Sequence, residues 1–143
     1  MDEIYQHALK LLGRRDYTVQ QIRQKLAEKF GNVPEHTIDR LVEQRFLNDR
    51  RFAENYVAKG LDRGRAALSE EMLTLCVAPN LVNEILSKTA WPSLHEALAA
   101  RMNGWKLRAP LQSRDAARLF RALLRLGYDE DAIREEIGLL RKP

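Results

Sequence analysis

A single cysteine, Cys76, stands in a chain of 143 residues, so an intramolecular disulfide framework is excluded. Long apolar runs are missing as well, and no stretch approaches the ~20 residues that cross a bilayer. The opening residues, MDEIYQHALK, are acidic and hold no apolar core of the kind a secretory signal carries. Together these absences predict a cytoplasmic protein without membrane contact. There is no glycine-rich phosphate loop and no nucleophile elbow. His7, His36 and His95 lie far apart with no cysteine near them, which makes them structural or surface histidines rather than metal ligands. Glu70-Glu71 and Asp129-Glu130-Asp131 are carboxylate clusters, and the second falls in a first helical turn, where acids suit the macrodipole. No enzyme activity, cofactor or metal is expected. Strand-like alternation is also absent.

What the sequence does hold is helical periodicity, in a chain 45% hydrophobic and 31% charged. Ile4, Ala8, Leu11 and Leu12 share a face of a first helix that stops near Gly13. Thr18 and Gln21 have capping-box spacing and open a second, with Val19, Ile22, Leu26 and Phe30 inward. Gly31-Asn32 ends it, and Pro34 suits the first position of a third, whose apolar face is Ile38, Leu41 and Val42. In the stretch FLNDRRFAENYV, Asn48 can cap a fourth helix, Leu47 and Phe52 take the places of a hydrophobic staple, and Phe52, Ala53, Tyr56 and Val57 face inward. Leu68, Met72, Leu75 and Cys76 define a fifth helix and place Cys76 on a buried, inert face. Pro79 opens a sixth, with Val82, Ile85 and Leu86 inward. Ser93 and Glu96 cap a seventh, carrying Leu94, Ala97, Leu98, Met102 and Trp105. The eighth is RDAARLFRALLRL, ended by Gly127, and Asp129 starts a ninth with Ile133, Ile137 and Leu140 inward.

The apolar pairs Ile38/Val42, Val82/Leu86 and Ile133/Ile137 each follow a turn and recur at intervals of 44 and then 51 residues. This predicts an all-α fold of three tandem three-helix, helix-turn-helix-like repeats over residues 1–47, 48–90 and 91–143. Units so small bury little alone, so stacking into an elongated, curved arrangement is expected.

The formal charge of +4 is unevenly spread. Residues 101–125 carry seven basic side chains against Asp115 alone, and residues 50–65 carry five against two acids, which leaves the rest of the chain net acidic. Basic regions of this kind suit a polyanionic partner, nucleic acid or an acidic protein surface. The sharpest feature is the eighth helix. Arg114, Arg118, Arg121 and Arg125 fall within a band of about 60° along about 16 Å of one face, with Ala116, Leu119, Phe120 and Leu123 largely opposite. Guanidinium forks match phosphates and carboxylates, and like charges at i,i+4 repel mildly, so a partner that rewards the stripe is expected. Arg63 and Arg65 flank Gly64 in a loop. Arg50 and Arg51 sit in a first helical turn, where cations are mildly unfavourable, and are further contact candidates. The plain alternative for every one of these arginines is a solvated helix face.

Four stretches, in order and covering nearly the whole chain, resemble the RecX family of regulators of the RecA recombinase: HALKLLGRRDYTVQQIRQKLAEKF, FLNDRRFAENYV, RGRAALSEEM and RDAARLFRALLRLGYDEDAIREEI. Departures are local. Ala67-Leu68 stands where the family commonly has Arg-Ile, Cys76 stands where it has glycine, and MNGWKLRAPLQ matches poorly. The resemblance implies a non-enzymatic regulator that binds RecA filaments on DNA, lodges in their groove or limits their growth, and so reduces ATP hydrolysis and strand exchange in recombination and repair. It implies weak contact with single- or double-stranded DNA and a monomeric protein. It also makes FLNDRRFAENYV a structural hallmark, a joint between helices. The competing reading is a helical-repeat protein that binds DNA directly, without RecA; a helical scaffold with neither partner is the third.

Overall fold

In the computed structural model, residues 2–142 are described. They form nine α-helices and no strand: α1 (Glu3–Leu12), α2 (Val19–Phe30), α3 (Glu35–Glu43), α4 (Asp49–Lys59), α5 (Arg65–Thr74), α6 (Pro79–Lys88), α7 (Leu94–Gly104), α8 (Ser113–Arg125) and α9 (Glu130–Arg141), with a single 3₁₀ turn at Leu61–Arg63. The fold is all-α, built of repeated three-helix units, as the periodicity predicts. Contacts gather the chain into two compact units. The first comprises Met1–Lys59 with Ser69–Lys88; the second comprises Gly60–Leu68 with Thr89–Pro143.

In the first unit, Tyr5, Ala8, Ile22, Leu26, Ile38, Leu41 and Leu47 form one core cluster. On α1, Ala8 is buried and Ile4, Leu11 and Leu12 pack against the cluster as expected, with Tyr5 an additional buried member. Val42 does not face inward: it is 46% exposed, and α3 buries Thr37, Ile38 and Leu41 instead. Pro34 is the N-cap of α3 rather than its first residue. The other repeat pairs, Val82/Leu86 and Ile133/Ile137, are buried as expected. In the second unit, Leu98, Leu111, Ala116, Leu119, Leu123, Ile133 and Ile137 make the core, most of it between α8 and α9.

Helix ends are fixed by side chains that the sequence announces. Thr18 and Gln21 form the expected capping box on α2, and Ser93 and Glu96 form another on α7. The FLNDRRF stretch is a joint in a literal sense. Asn48 accepts from the Arg51 N–H at 3.0 Å and caps its own helix. Asp49 accepts from the Val19 N–H at 2.9 Å and so caps α2. The Arg51 guanidinium donates to the carbonyls of Arg45, at 3.0 Å, and Phe46, at 3.4 Å, just beyond the end of α3. Three helix ends are thus held by Asn48, Asp49 and Arg51, within four residues of one another.

Four helices, α3, α5, α7 and α8, end in the same way. A residue with positive φ follows the cap, and the next N–H bonds back to a carbonyl five residues earlier: Phe46 to Leu41, Val77 to Met72, Leu107 to Met102 and Tyr128 to Leu123. The left-handed residues are Arg45, Cys76, Lys106 and Gly127. This is a Schellman ending, which glycine occupies most easily. It corrects the placement of Cys76. The residue lies beyond α5, at φ 71°, and is exposed rather than buried on a helical face, because α5 stops at Thr74 and Val77 takes the inward place.

Candidate polyanion-binding surface

The arginine stripe is a property of α8 and is presented as its spacing predicts. Ala116, Leu119 and Leu123 are buried, while Arg114, Arg118, Arg121 and Arg125 are all exposed. Ala117 and Leu124 share the open face, with Leu124 43% exposed. Among the described residues, Arg114, Arg121 and Arg125 form no ion pair and no side-chain hydrogen bond. Arg118 is different. Its guanidinium lies 3.8 Å from the centroid of the Trp105 ring, and Arg101 lies over the same ring at 5.6 Å. Trp105 is the C-cap residue of α7 and half-buried against the second unit's core. The indole therefore supports Arg118 from behind, a contact of the cation–π kind.

The remaining candidates fall elsewhere and are mostly engaged. Arg50 pairs with Glu84 on α6 at 2.9 Å, and Lys88 meets the same carboxylate at 3.0 Å. The hydrogen bond from Arg50, then that from Lys88, holds the Glu84 carboxyl below its ordinary range. Arg51 holds the backbone beyond α3, as described. Arg63 and Arg65 are exposed on either side of Gly64, which is buried at φ 83°, its Cα facing Leu126. Arg65, like the three free arginines of α8, has no ion pair among the described residues.

Sequence reasoning singled out Trp105 only as an apolar helix residue. Its i,i+4 relation to Arg101 was a visible signal for a stacked pair; the approach of Arg118 from another helix was not. Beside Trp105 lies a groove of about 620 Å³ within the second unit, walled by Pro92, Ala97, Ala100, Leu126 and Tyr128, with Asp62, Glu96 and Arg101 as its charged residues. The Tyr128 hydroxyl donates to the Pro92 carbonyl at 2.6 Å and braces one wall. No group of His, Cys, Asp or Glu among the described residues is arranged to hold a metal ion, and no described helix is long and apolar enough to cross a membrane.

A family model described as RecX, first three-helix domain, matches residues 5–44. A regulatory protein RecX from Halorhodospira halophila is 31% identical over 132 residues, which cover 89% of this chain and 81% of that protein. The one from Trichlorobacter lovleyi is 31% identical over 143 residues, covering 93% and 92%. The one from Chromohalobacter salexigens is 32% identical over 140 residues, covering 92% and 88%. The crystal structure of RecX from Lactobacillus salivarius superposes with a TM-score of 0.71 over 96% of both chains, at 18% identity, a likeness of fold.

Proposed function

The chain belongs to the RecX family of regulatory proteins, and from that premise we propose that it regulates the RecA recombinase by binding RecA filaments on DNA through the open face of α8. The protein is a regulator rather than a catalyst. It limits filament growth and with it ATP hydrolysis and strand exchange in recombination and repair. A nucleoprotein filament offers phosphates and protein carboxylates together, and both are matched by guanidinium forks. The observation that carries the reading is the row Arg114, Arg121 and Arg125, exposed on one helix face with no carboxylate of the described chain against it. Paired surface arginines such as Arg50 are already neutralised, so they support a partner contact less strongly.

The test is RecA-dependent ATP hydrolysis on single-stranded DNA, with and without the protein. The native chain should lower the rate. Arg121→Glu/Arg125→Glu replaces two arginines that form no ion pair among the described residues. Arg121→Glu should alter stability by less than ~0.5 kcal/mol, and Arg125→Glu, in the last turn of α8, by up to ~1 kcal/mol, which leaves the chain folded. Attraction becomes repulsion, and inhibition should weaken with a flatter dependence on salt. Full inhibition by the folded double variant would remove α8 from the contact and leave Arg50, Arg51, Arg63 and Arg65 as the surface to probe. A protein that binds bare DNA with a steep salt slope, yet leaves RecA unaffected, would favour direct DNA binding instead.

A further inference from the structure

We infer that the groove beside Trp105 receives an unstacked base of single-stranded nucleic acid while the arginines of α8 hold the adjoining phosphates. The inference deepens the reading above and rests on α8 facing a nucleic-acid strand. Three observations meet at one residue. Trp105 walls the groove, it lies against Arg118 at 3.8 Å, and Arg118 belongs to the exposed arginine row. Aromatic rings and guanidinium planes are the surfaces on which proteins stack single-stranded bases, next to a cationic track for the backbone. Arg101 lines the groove and stands 5.6 Å from the same ring, farther than Arg118, so it is the side chain that a base would displace.

The charges set the direction in which a strand lies. Asp62 and Glu96 belong to the groove, and Glu96 is held anionic by the hydrogen bonds of its capping box with Ser93. A phosphate inside the groove would meet these carboxylates, whereas a neutral base would not. Phosphates therefore stay on the α8 side, where Arg114, Arg121 and Arg125 have no acid partner among the described residues. An acidic peptide fits less well, because its carboxylates and its apolar anchor would approach the same acid-lined mouth together. A duplex fits less well too, since its bases are stacked and paired. The MNGWKLRAPLQ segment carries Trp105 together with Lys106 and Arg108.

The experiment uses the full chain with Trp91→Phe, which leaves Trp105 as the only tryptophan. An oligothymidylate of about 12 nucleotides, an abasic oligomer of the same length, the matching duplex, and a glutamate-rich peptide containing one phenylalanine are titrated separately. The expected result is quenching of Trp105 by oligothymidylate alone, with affinity about tenfold above that of the abasic oligomer. Trp105→Phe, with binding read from the anisotropy of dye-labelled oligomers because no tryptophan remains, should narrow that ratio. Equal binding of the two oligomers without quenching would overturn the inference, as would quenching by the peptide or duplex in place of the single strand. Because RecA is absent from these titrations, either failure leaves the proposed inhibition of RecA standing or falling on its own assay.

Discussion

Thr18 offers the most direct test of how the first unit is held together. Its side chain is fully buried and does two jobs. Its Oγ1 accepts from the Gln21 N–H at 3.2 Å, capping α2, and its hydroxyl proton goes to the Leu75 carbonyl at 2.8 Å, beyond the end of α5. Thr18→Val keeps the shape and removes only the hydroxyl. Loss of the cap costs ~1 kcal/mol. Loss of the hydrogen bond to a partly buried carbonyl adds ~1 kcal/mol. The expected destabilisation is therefore about 2 kcal/mol, which for a chain of this size lowers Tm by roughly 4–8 °C. Thr18→Ser retains both hydrogen bonds and loses one methyl, about 0.8 kcal/mol. Urea unfolding followed by circular dichroism measures all three proteins. The reasoning is refuted if Thr18→Val lies within ~0.5 kcal/mol of the native chain, or if Thr18→Ser is the less stable of the two variants.

Cys76→Gly should stabilise the chain by ~0.5–1 kcal/mol, because Cys76 bears the left-handed strain that glycine avoids; an unchanged or lower urea midpoint would contradict the Schellman reading of this turn. Gly64→Ala should cost at least ~2 kcal/mol, since φ 83° with ψ 164° is glycine territory and a Cβ there would come 2.8 Å from Leu126 Cδ2; a thermal melt unaltered by the substitution would exclude that close approach. The Arg50–Glu84 pair should show in the pH dependence of stability. Arg50 and Lys88 hold the folded Glu84 carboxyl below its ordinary range, so the pair stabilises above the unfolded carboxylate range and is lost as pH falls through the lowered value. The stability gap between the native chain and Glu84→Gln should therefore shrink between pH 6 and pH 3, and a constant gap would rule the pair out as its source.

Much of the fold was legible because local chemistry and global packing agree at the helix ends. Thr18, Ser93, Asn48 and Asp129 each cap the helix their spacing announces. Misjudgements fell where rotation about a helix axis decides burial. Val42 satisfies an i,i+4 pattern with Ile38, yet α3 has only nine residues and is turned so that Thr37 and Leu41 point inward. Cys76 continues the apolar rhythm of α5, but a Schellman turn had already ended that helix two residues earlier. Periodicity cannot see such a stop when the residue in the left-handed position is not glycine. The long-range half of each joint was equally hidden. Nothing local says that Asp49 caps α2, or that Thr18 reaches a carbonyl 57 residues away.

The candidate surface was legible as a pattern of charge but not as a pattern of availability. Sequence ranks the α8 stripe above Arg50 and Arg51 and counts Arg118 equally with Arg121 and Arg125. The folded chain distinguishes them by what each already touches: a carboxylate for Arg50, backbone carbonyls for Arg51, an indole for Arg118, and no ion-pair partner among the described residues for Arg114, Arg121 and Arg125. A guanidinium that must leave an internal acceptor to reach a phosphate loses the first interaction to gain the second, so its net contribution to binding is small. One with no internal acceptor contributes its full charge. Backed by Trp105, Arg118 stands between these limits: its charge stays unneutralised, but its plane is already oriented, which reduces the rotamer freedom lost on contact. The binding free energy on α8 should therefore concentrate at the unpaired arginines, with orientation supplied by the one that is stacked.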